Sequence, residues 1–191
     1  MKIIFKLFMI TVILSACMNK NVMQEDTVLI KKGMEAVKSS QLVLSSNLSK
    51  QIRAAGPLGA LNFCNIKASH FTDSLSKALG LKISRVSDKT RNKNKGANAT
   101  QLTYIMESKE KLEKGEEIEP QLVSVSSGKE AYYPIFTNST CLKCHGAAEV
   151  LDSALTEKLN QLYPEDKAKG YSENELRGIW VVEFLDSLII Y

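Results

Sequence analysis

The sequence is poor in histidine, in aromatic residues and in excess charge. It has two histidines among 191 residues, and aromatic side chains make up 7%. The formal net charge of +4 comes from 25 basic and 21 acidic residues, and no basic stripe interleaved with aromatics is present. We therefore predict no nucleic-acid partner. Apolar residues at 44% and charged residues at 24% are typical of a globular protein, and the length favours one domain.

Long apolar runs are absent except at the N-terminus. Lys2 and Lys6 give a positive start, and residues 3–14 are almost continuously apolar. This run is shorter than the roughly 20 apolar residues that a membrane span needs. We interpret residues 1–16 as a signal peptide.

The apolar run ends in the sequence LSAC at residues 14–17, which resembles the lipobox of bacterial lipoproteins. The Cys17 thiol would receive diacylglycerol, and acylation of the freed amine would complete a stable anchor of several chains. Met18, in place of aspartate, favours the outer membrane. We predict a lipid-anchored protein of the cell envelope that faces the periplasm; the alternative is an ordinary signal peptide with an incidental cysteine.

The remaining sequence predicts a short tether at residues 17–26 and a single domain at residues 27–191. Apolar spacing and the Gly56-Pro57 break predict two long helices, at 27–55 and 58–79, the second ended by Gly80. The later elements are predicted as a strand at 81–87, a loop at 88–99, a helix at 100–114, a hairpin at 121–127 and 130–137, a helix at 149–162 and a strand at 178–185. This order favours an α+β fold with a small antiparallel sheet.

Cysteine use indicates the chemistry. Once Cys17 is assigned to lipid, three thiols remain and cannot all pair, so a disulfide scaffold fits poorly. Cys141, Cys144 and His145 form the pattern Cys-x-x-Cys-His, which is typical of c-type haem attachment. Two thiols at this spacing reach the two vinyl groups of one porphyrin, and the adjacent imidazole reaches the iron. An export segment fits, because such haem is attached outside the cytoplasm.

Two other interpretations of the same cysteines stay open. A Cys-x-x-Cys pair can be a thioredoxin-like redox centre, although the chain lacks the βαβ opening expected around it. A structural zinc site would need four ligands, and Cys64, Cys141, Cys144 and one histidine would use every candidate.

The second axial ligand of a haem iron has several candidates in the sequence. They are His70, Cys64 and the methionines 18, 23, 34 and 106. Cys64 and His70 are six residues apart, about 240° around a continuous helix, so both cannot face one iron unless the helix breaks. A lone cysteine is most often a small buried hydrophobic residue.

Several stretches of the sequence resemble the PAS-like single-haem c-type cytochrome family, first described structurally from a cyanobacterium. They are GPLGALNFC at 56–64, RVSDKTRN at 85–92, YPIF at 133–136 before CLKCHG at 141–146, YPEDKAKGY at 163–171 and LRG at 176–178. The resemblance covers residues 56–185. It implies a PAS-like fold with one covalent haem c, His145 on one side of the iron and the sulfur of Cys64 on the other. The chain departs from the family at Lys93, where the family usually has proline.

The function expected from this resemblance is that of a redox or gas sensor, with an envelope electron carrier as the alternative. A thiolate ligand stabilises ferric iron and lowers the reduction potential, so reduction would favour release of Cys64. The sensor interpretation rests on analogy of fold. We expect a separate redox or signalling partner, and no catalytic role, because the two histidines leave no Ser-His-Asp set.

Overall fold

A computed structural model describes the backbone of residues 2–66 and 68–185 and the side chains of residues 23–61, 63–64 and 70–185. Five helices and four strands follow one another in this part of the chain, with single 3₁₀ turns at 93–95 and 148–150. In chain order they are α1 (Lys2–Ile66), α2 (Ala68–Leu79), β1 (Lys82–Val86), α3 (Ala99–Glu113), β2 (Gln121–Val125), β3 (Gly128–Phe136), α4 (Ser139–His145), α5 (Ser153–Leu162) and β4 (Leu176–Leu185).

The strands form one antiparallel sheet in the order β1-β4-β3-β2. Neighbouring residues of a strand point to opposite faces, and the two faces bury different partners. Tyr133 and Trp180 pack in a cluster with α1, whereas Tyr132 and Val181 pack in a cluster with α3. The sheet thus lies between α1 and α3, and the predicted α+β fold with long N-terminal helices is confirmed.

The break predicted at Gly56 is present as a kink inside α1. Gly56 has φ 67° and ψ −179°, a backbone conformation that favours glycine, and Pro57 starts the helical segment that follows. Gly80, with φ 63°, ends α2 as predicted.

The prediction of one helix over residues 58–79 is wrong, because α1 ends at Ile66 and α2 begins at Ala68. The rings of Phe63 and Phe71 lie 5.8 Å apart between centroids. Eight residues of straight helix would separate them by about 12 Å along the axis. The chain therefore bends sharply here, so that α2 contacts α1 and β1.

The helix predicted over residues 149–162 starts later, at Ser153. The Asp152 side chain accepts a hydrogen bond from the Leu155 amide at 3.1 Å and caps the first turn. Asparagine, aspartate and serine side chains compete for backbone donors in this way, so Asp152 separates α5 from the preceding 3₁₀ turn.

Residues 19–26, predicted as part of a tether, are helical and continue α1. Asp26 accepts a hydrogen bond from the Lys129 ammonium at 2.7 Å, and Glu25 lies 3.8 Å from the same nitrogen. The helix therefore contacts the start of β3 already before residue 27. No helix within the described ranges is long and apolar enough to cross a bilayer.

Gly33 is required where α1 packs closely on β3. A Cβ atom at this position would overlap the hydroxyl of Tyr133, which is 1% exposed and donates to the Ile30 carbonyl at 2.8 Å. We expect Gly33→Ala to lower the free energy of unfolding by about 1–3 kcal/mol, the cost of overpacking. Urea unfolding would measure it. In a Tyr133→Phe background the same substitution should cost less, and an equal cost in both backgrounds would contradict the contact.

Candidate functional site

Helix α4 places the two motif cysteines on one face. Asn138 caps it, and its side-chain oxygen accepts hydrogen bonds from the amides of Thr140 and Cys141 at 3.0 and 3.2 Å. Residues three apart on a helix are neighbours, so Cys141 and Cys144 project from the same turn. Both are half-buried free thiols, as is Cys64.

Cys144 packs in an apolar cluster between α1 and α5. The buried members of this cluster are Leu61, Leu155 and Leu159, with exposed fractions of 2% or less. Apolar side chains of this kind form a wall against which the face of a large planar cofactor can pack. The second half of α1 is thereby fixed against the motif helix.

Cys64 lies one helical turn after Leu61, on the side of α1 that faces this cluster. Burial raises the pKa of the Cys64 thiol, and the neighbouring Cys144 adds to the rise, whereas Arg85 and Arg91 oppose it. Cys141, Cys144 and His145 thus share α4, and Cys64 follows Leu61, which packs in one cluster with Cys144.

His145 is held by its Nδ1 atom, which lies 2.7 Å from the Ala168 carbonyl oxygen. A carbonyl can only accept, so Nδ1 carries the proton and Nε2 keeps its lone pair. Burial lowers the pKa of His145 to about 3, with contributions from Arg91 and Arg177. The imidazole is thus neutral near neutral pH, the form that binds a metal through Nε2.

The segment that follows α5 closes over His145. The amide of Tyr171 donates to the His145 carbonyl at 2.9 Å, and the amide of Gly170 donates to the Gly146 carbonyl at 2.9 Å. The Tyr171 ring stands edge-on to the imidazole, with centroids 6.3 Å apart. These contacts restrict rotation of the imidazole on one side.

Arg91 joins three segments at the site, and the sequence did not identify it. Its Nη2 atom donates to the carbonyls of Cys144 at 2.6 Å and Ala168 at 3.3 Å, and its Nε atom donates to Asp166 at 3.0 Å. The signal was present, since Arg91 and Asp166 stand in two of the family-like stretches. Their pairing joins residues 75 positions apart.

Positive charge exceeds negative charge around the site. Arg85 stacks over the Trp180 ring at 5.2 Å, and Arg177 lies over the Tyr171 ring at 5.4 Å. Neither arginine has an ion-pair partner within the described residues, and the buried Nε atom of Arg177 has no hydrogen-bond acceptor there. A haem brings two carboxylates, so this donor set fits that group. The motif cysteines could attach it, and His145 and Cys64 could bind its iron.

The other candidate ligands lie elsewhere. His70, on α2, is exposed, and Met23 and Met106 are 65% and 53% exposed. Met34 packs against the core between α1 and the sheet. The side chains of Met18 and of Cys17, the predicted acylation site, lie outside the described residues. The departure at Lys93 falls in a 3₁₀ turn whose Lys93 ammonium pairs with Glu165 at 3.5 Å on the surface.

The zinc interpretation requires ligands that converge on one point. No group of three or more His, Cys, Asp or Glu side chains able to hold a metal ion occurs among the side chains that the structure describes. The two axial ligands of a haem approach from opposite faces, whereas thioether sulfurs stand at its edge. A haem therefore needs no such convergence.

Comparison with known proteins gives two matches. The family model described as Tll0287-like matches residues 18–184. Among solved structures, the crystal structure of the cyanobacterial heme-protein Tll0287 matches with a TM-score of 0.63 and 19% sequence identity, over 82% of this chain and 94% of that chain. At this identity the likeness establishes the fold. No curated protein matches significantly.

Proposed function

The chain belongs to the Tll0287-like family, and from this premise we propose that it is a c-type haem protein of the cell envelope that senses redox state or a gas. The related cyanobacterial structure carries the name heme-protein. The observation that carries the proposal is the state of His145 at the end of α4. It is partly buried and neutral, and its Nδ1 atom is hydrogen-bonded to the Ala168 carbonyl, which leaves Nε2 for iron.

Each residue of the site has a distinct role in this proposal. Cys141 and Cys144 would form thioether bonds with one haem c, and His145 would bind its iron through Nε2. The sulfur of Cys64 would supply a second ligand to the iron. The bound haem supplies one-electron redox chemistry and, when Cys64 leaves, a coordination position for a small ligand.

Sensing requires that an event at the site moves part of the protein. Cys64 lies on α1, eight residues after the Gly56 kink, and α1 extends from there along the sheet toward the N-terminus. Release of Cys64 would free this part of the helix to rotate about the kink. The movement would be transmitted toward the lipid on Cys17 and to a separate signalling partner.

Location in the envelope follows from the sequence pattern at residues 1–17. We propose removal of residues 1–16, acylation of Cys17 and anchoring to the outer membrane, with the domain in the periplasm. Radiolabelled palmitate should enter the wild-type protein and not a Cys17→Ala variant. Equal labelling of both would contradict lipidation at this residue.

A second candidate function is electron transfer within the envelope. Cys141 is half-buried, and Lys143 beside it is exposed, so one edge of the motif helix is accessible to a partner. Fast, reversible electron exchange with unchanged ligands would favour this carrier role. Slow reduction coupled to loss of the Cys64 ligand would favour the sensor.

The proposal is tested by expression with a cytochrome c maturation system. We expect purified protein to be coloured, to carry the mass of one haem after denaturation and to show a low-spin ferric spectrum that changes on reduction. A thioredoxin-like protein would instead be colourless, with a reversible disulfide between Cys141 and Cys144. Colourless protein without the added mass would therefore refute haem binding.

A further inference from the structure

One carbonyl oxygen, that of Ala168, accepts hydrogen bonds from two side chains at the site. His145 Nδ1 lies 2.7 Å from it and Arg91 Nη2 lies 3.3 Å from it. The same Nη2 atom also donates to the Cys144 carbonyl at 2.6 Å. That carbonyl belongs to the last turn of α4, where helical carbonyls lack partners within the helix.

The arginine is itself held by a buried carboxylate. Asp166, with a side chain 0% exposed, accepts from Arg91 Nε at 3.0 Å. Its other oxygen accepts from the Ala168 amide at 2.8 Å. Arg91, itself only 12% exposed, therefore has little freedom to rotate away from the two carbonyls.

We propose that Arg91 is the positioning residue of the axial histidine, and that it fixes the orientation of His145 and limits its donor strength by sharing the Ala168 carbonyl. The inference rests on the proposed role of His145 as an iron ligand. Arg91 and Asp166 act through His145 and the backbone.

Arg91 affects the reduction potential of the iron in two ways, and both effects raise it. Its positive charge near the site favours the reduced, less positive iron. Its hydrogen bond draws electron density from the Ala168 carbonyl, which becomes a weaker acceptor for the Nδ1 proton. The imidazole then has less anionic character, and an anionic imidazole would favour ferric iron. Loss of Arg91 should therefore lower the reduction potential, whereas loss of the Asp166 charge should raise it.

The experiment compares haem-loaded full-length Arg91→Gln, Arg91→Lys and Asp166→Asn variants. In Arg91→Gln we expect the ratio of reduced to oxidised protein at a fixed potential to fall about tenfold, a shift of about −59 mV for one electron. Asp166→Asn should shift the potential upward. Arg91→Lys keeps the charge but lacks the planar guanidinium group and its several N–H donors. We therefore expect a smaller shift of the reduction potential, with several low-spin ferric species in electron paramagnetic resonance.

Lys93 and Glu165 provide matched controls on the same two segments. They form a surface ion pair at 3.5 Å with side chains 72% and 70% exposed. Lys93→Gln and Glu165→Gln remove the same charges at positions exposed to solvent, where charge effects are screened. They should leave the reduction potential and the absorption spectrum unchanged.

The outcomes separate this inference from the proposed function. Wild-type protein without a His-ligated low-spin haem would refute the proposed function itself. If the wild type shows that spectrum, potentials of the Arg91 and Asp166 variants equal to those of the controls overturn the inference. A single wild-type species in Arg91→Lys overturns the positioning role. If Arg91→Gln fails to fold, the Arg91→Lys and Asp166→Asn variants still test the inference.

Discussion

Replacement of both Cys141 and Cys144 by alanine will abolish covalent haem attachment. In the proposed function each thiol forms one thioether with a vinyl group, so the double variant has no thiol on α4 that can bond covalently to the porphyrin. Mass spectrometry of the denatured protein should give the mass of the polypeptide alone. Each single variant should keep one thioether, with absorption bands shifted to longer wavelength because one vinyl group stays conjugated.

The matched control for covalent attachment is the third thiol of the site. Cys64→Ala changes a cysteine that is also half-buried and free. It should keep the full mass of bound haem. A double variant at 141 and 144 that still carries haem after denaturation would contradict the assignment, and so would loss of covalent haem in Cys64→Ala.

The elements that the sequence predicts well are those with local signals. Gly56-Pro57, Gly80, the alternating residues of β1 and the apolar run of β4 mark their own boundaries, because glycine, proline and short apolar patterns act within a few residues. The hairpin of β2 and β3 is also predicted, but its turn lies at residues 126–127, and Gly128 and Lys129, predicted as the turn, are paired in β3.

The change of chain direction between Phe63 and Phe71 has no such signal. Neither glycine nor proline occurs between Phe63 and Phe71, so the apolar pattern predicts a continuous helix. The bend lets α2 contact β1. This contact depends on where the sheet lies in the folded chain, so the local sequence does not specify it. Tertiary packing of this kind overrides local propensity.

The sequence is enough to propose the ligands of the candidate site, but not the residues that hold those ligands in place. Spacing alone identifies Cys141, Cys144 and His145, and family resemblance adds Cys64. Arg91 stands in a family-like stretch, but its contacts could not be predicted, because its acceptors lie on α4 and on the segment after α5, which meet only in the folded chain. The same holds for Ala168, which contributes its carbonyl, a group that every residue has.

Replacement of Cys64 by serine will change the ferric spectrum and raise the reduction potential. A serine hydroxyl stays protonated near neutral pH and is a weak ligand, so the iron loses an anionic donor that stabilises its ferric form. Axial ligands set haem potentials over roughly 0.8 V, and we expect an increase on the order of 100 mV. Spectroelectrochemistry of the haem-loaded protein measures both changes.

The control for this prediction is His70, the other residue that could bind iron from this part of the chain. It is exposed on α2, so His70→Ala should keep the wild-type spectrum and potential. Cys64→Met tests the charge separately, because a thioether is a neutral sulfur ligand and should raise the potential while keeping low-spin iron. An unchanged spectrum in Cys64→Ser would remove Cys64 from the iron, and a changed spectrum in His70→Ala would put His70 in its place.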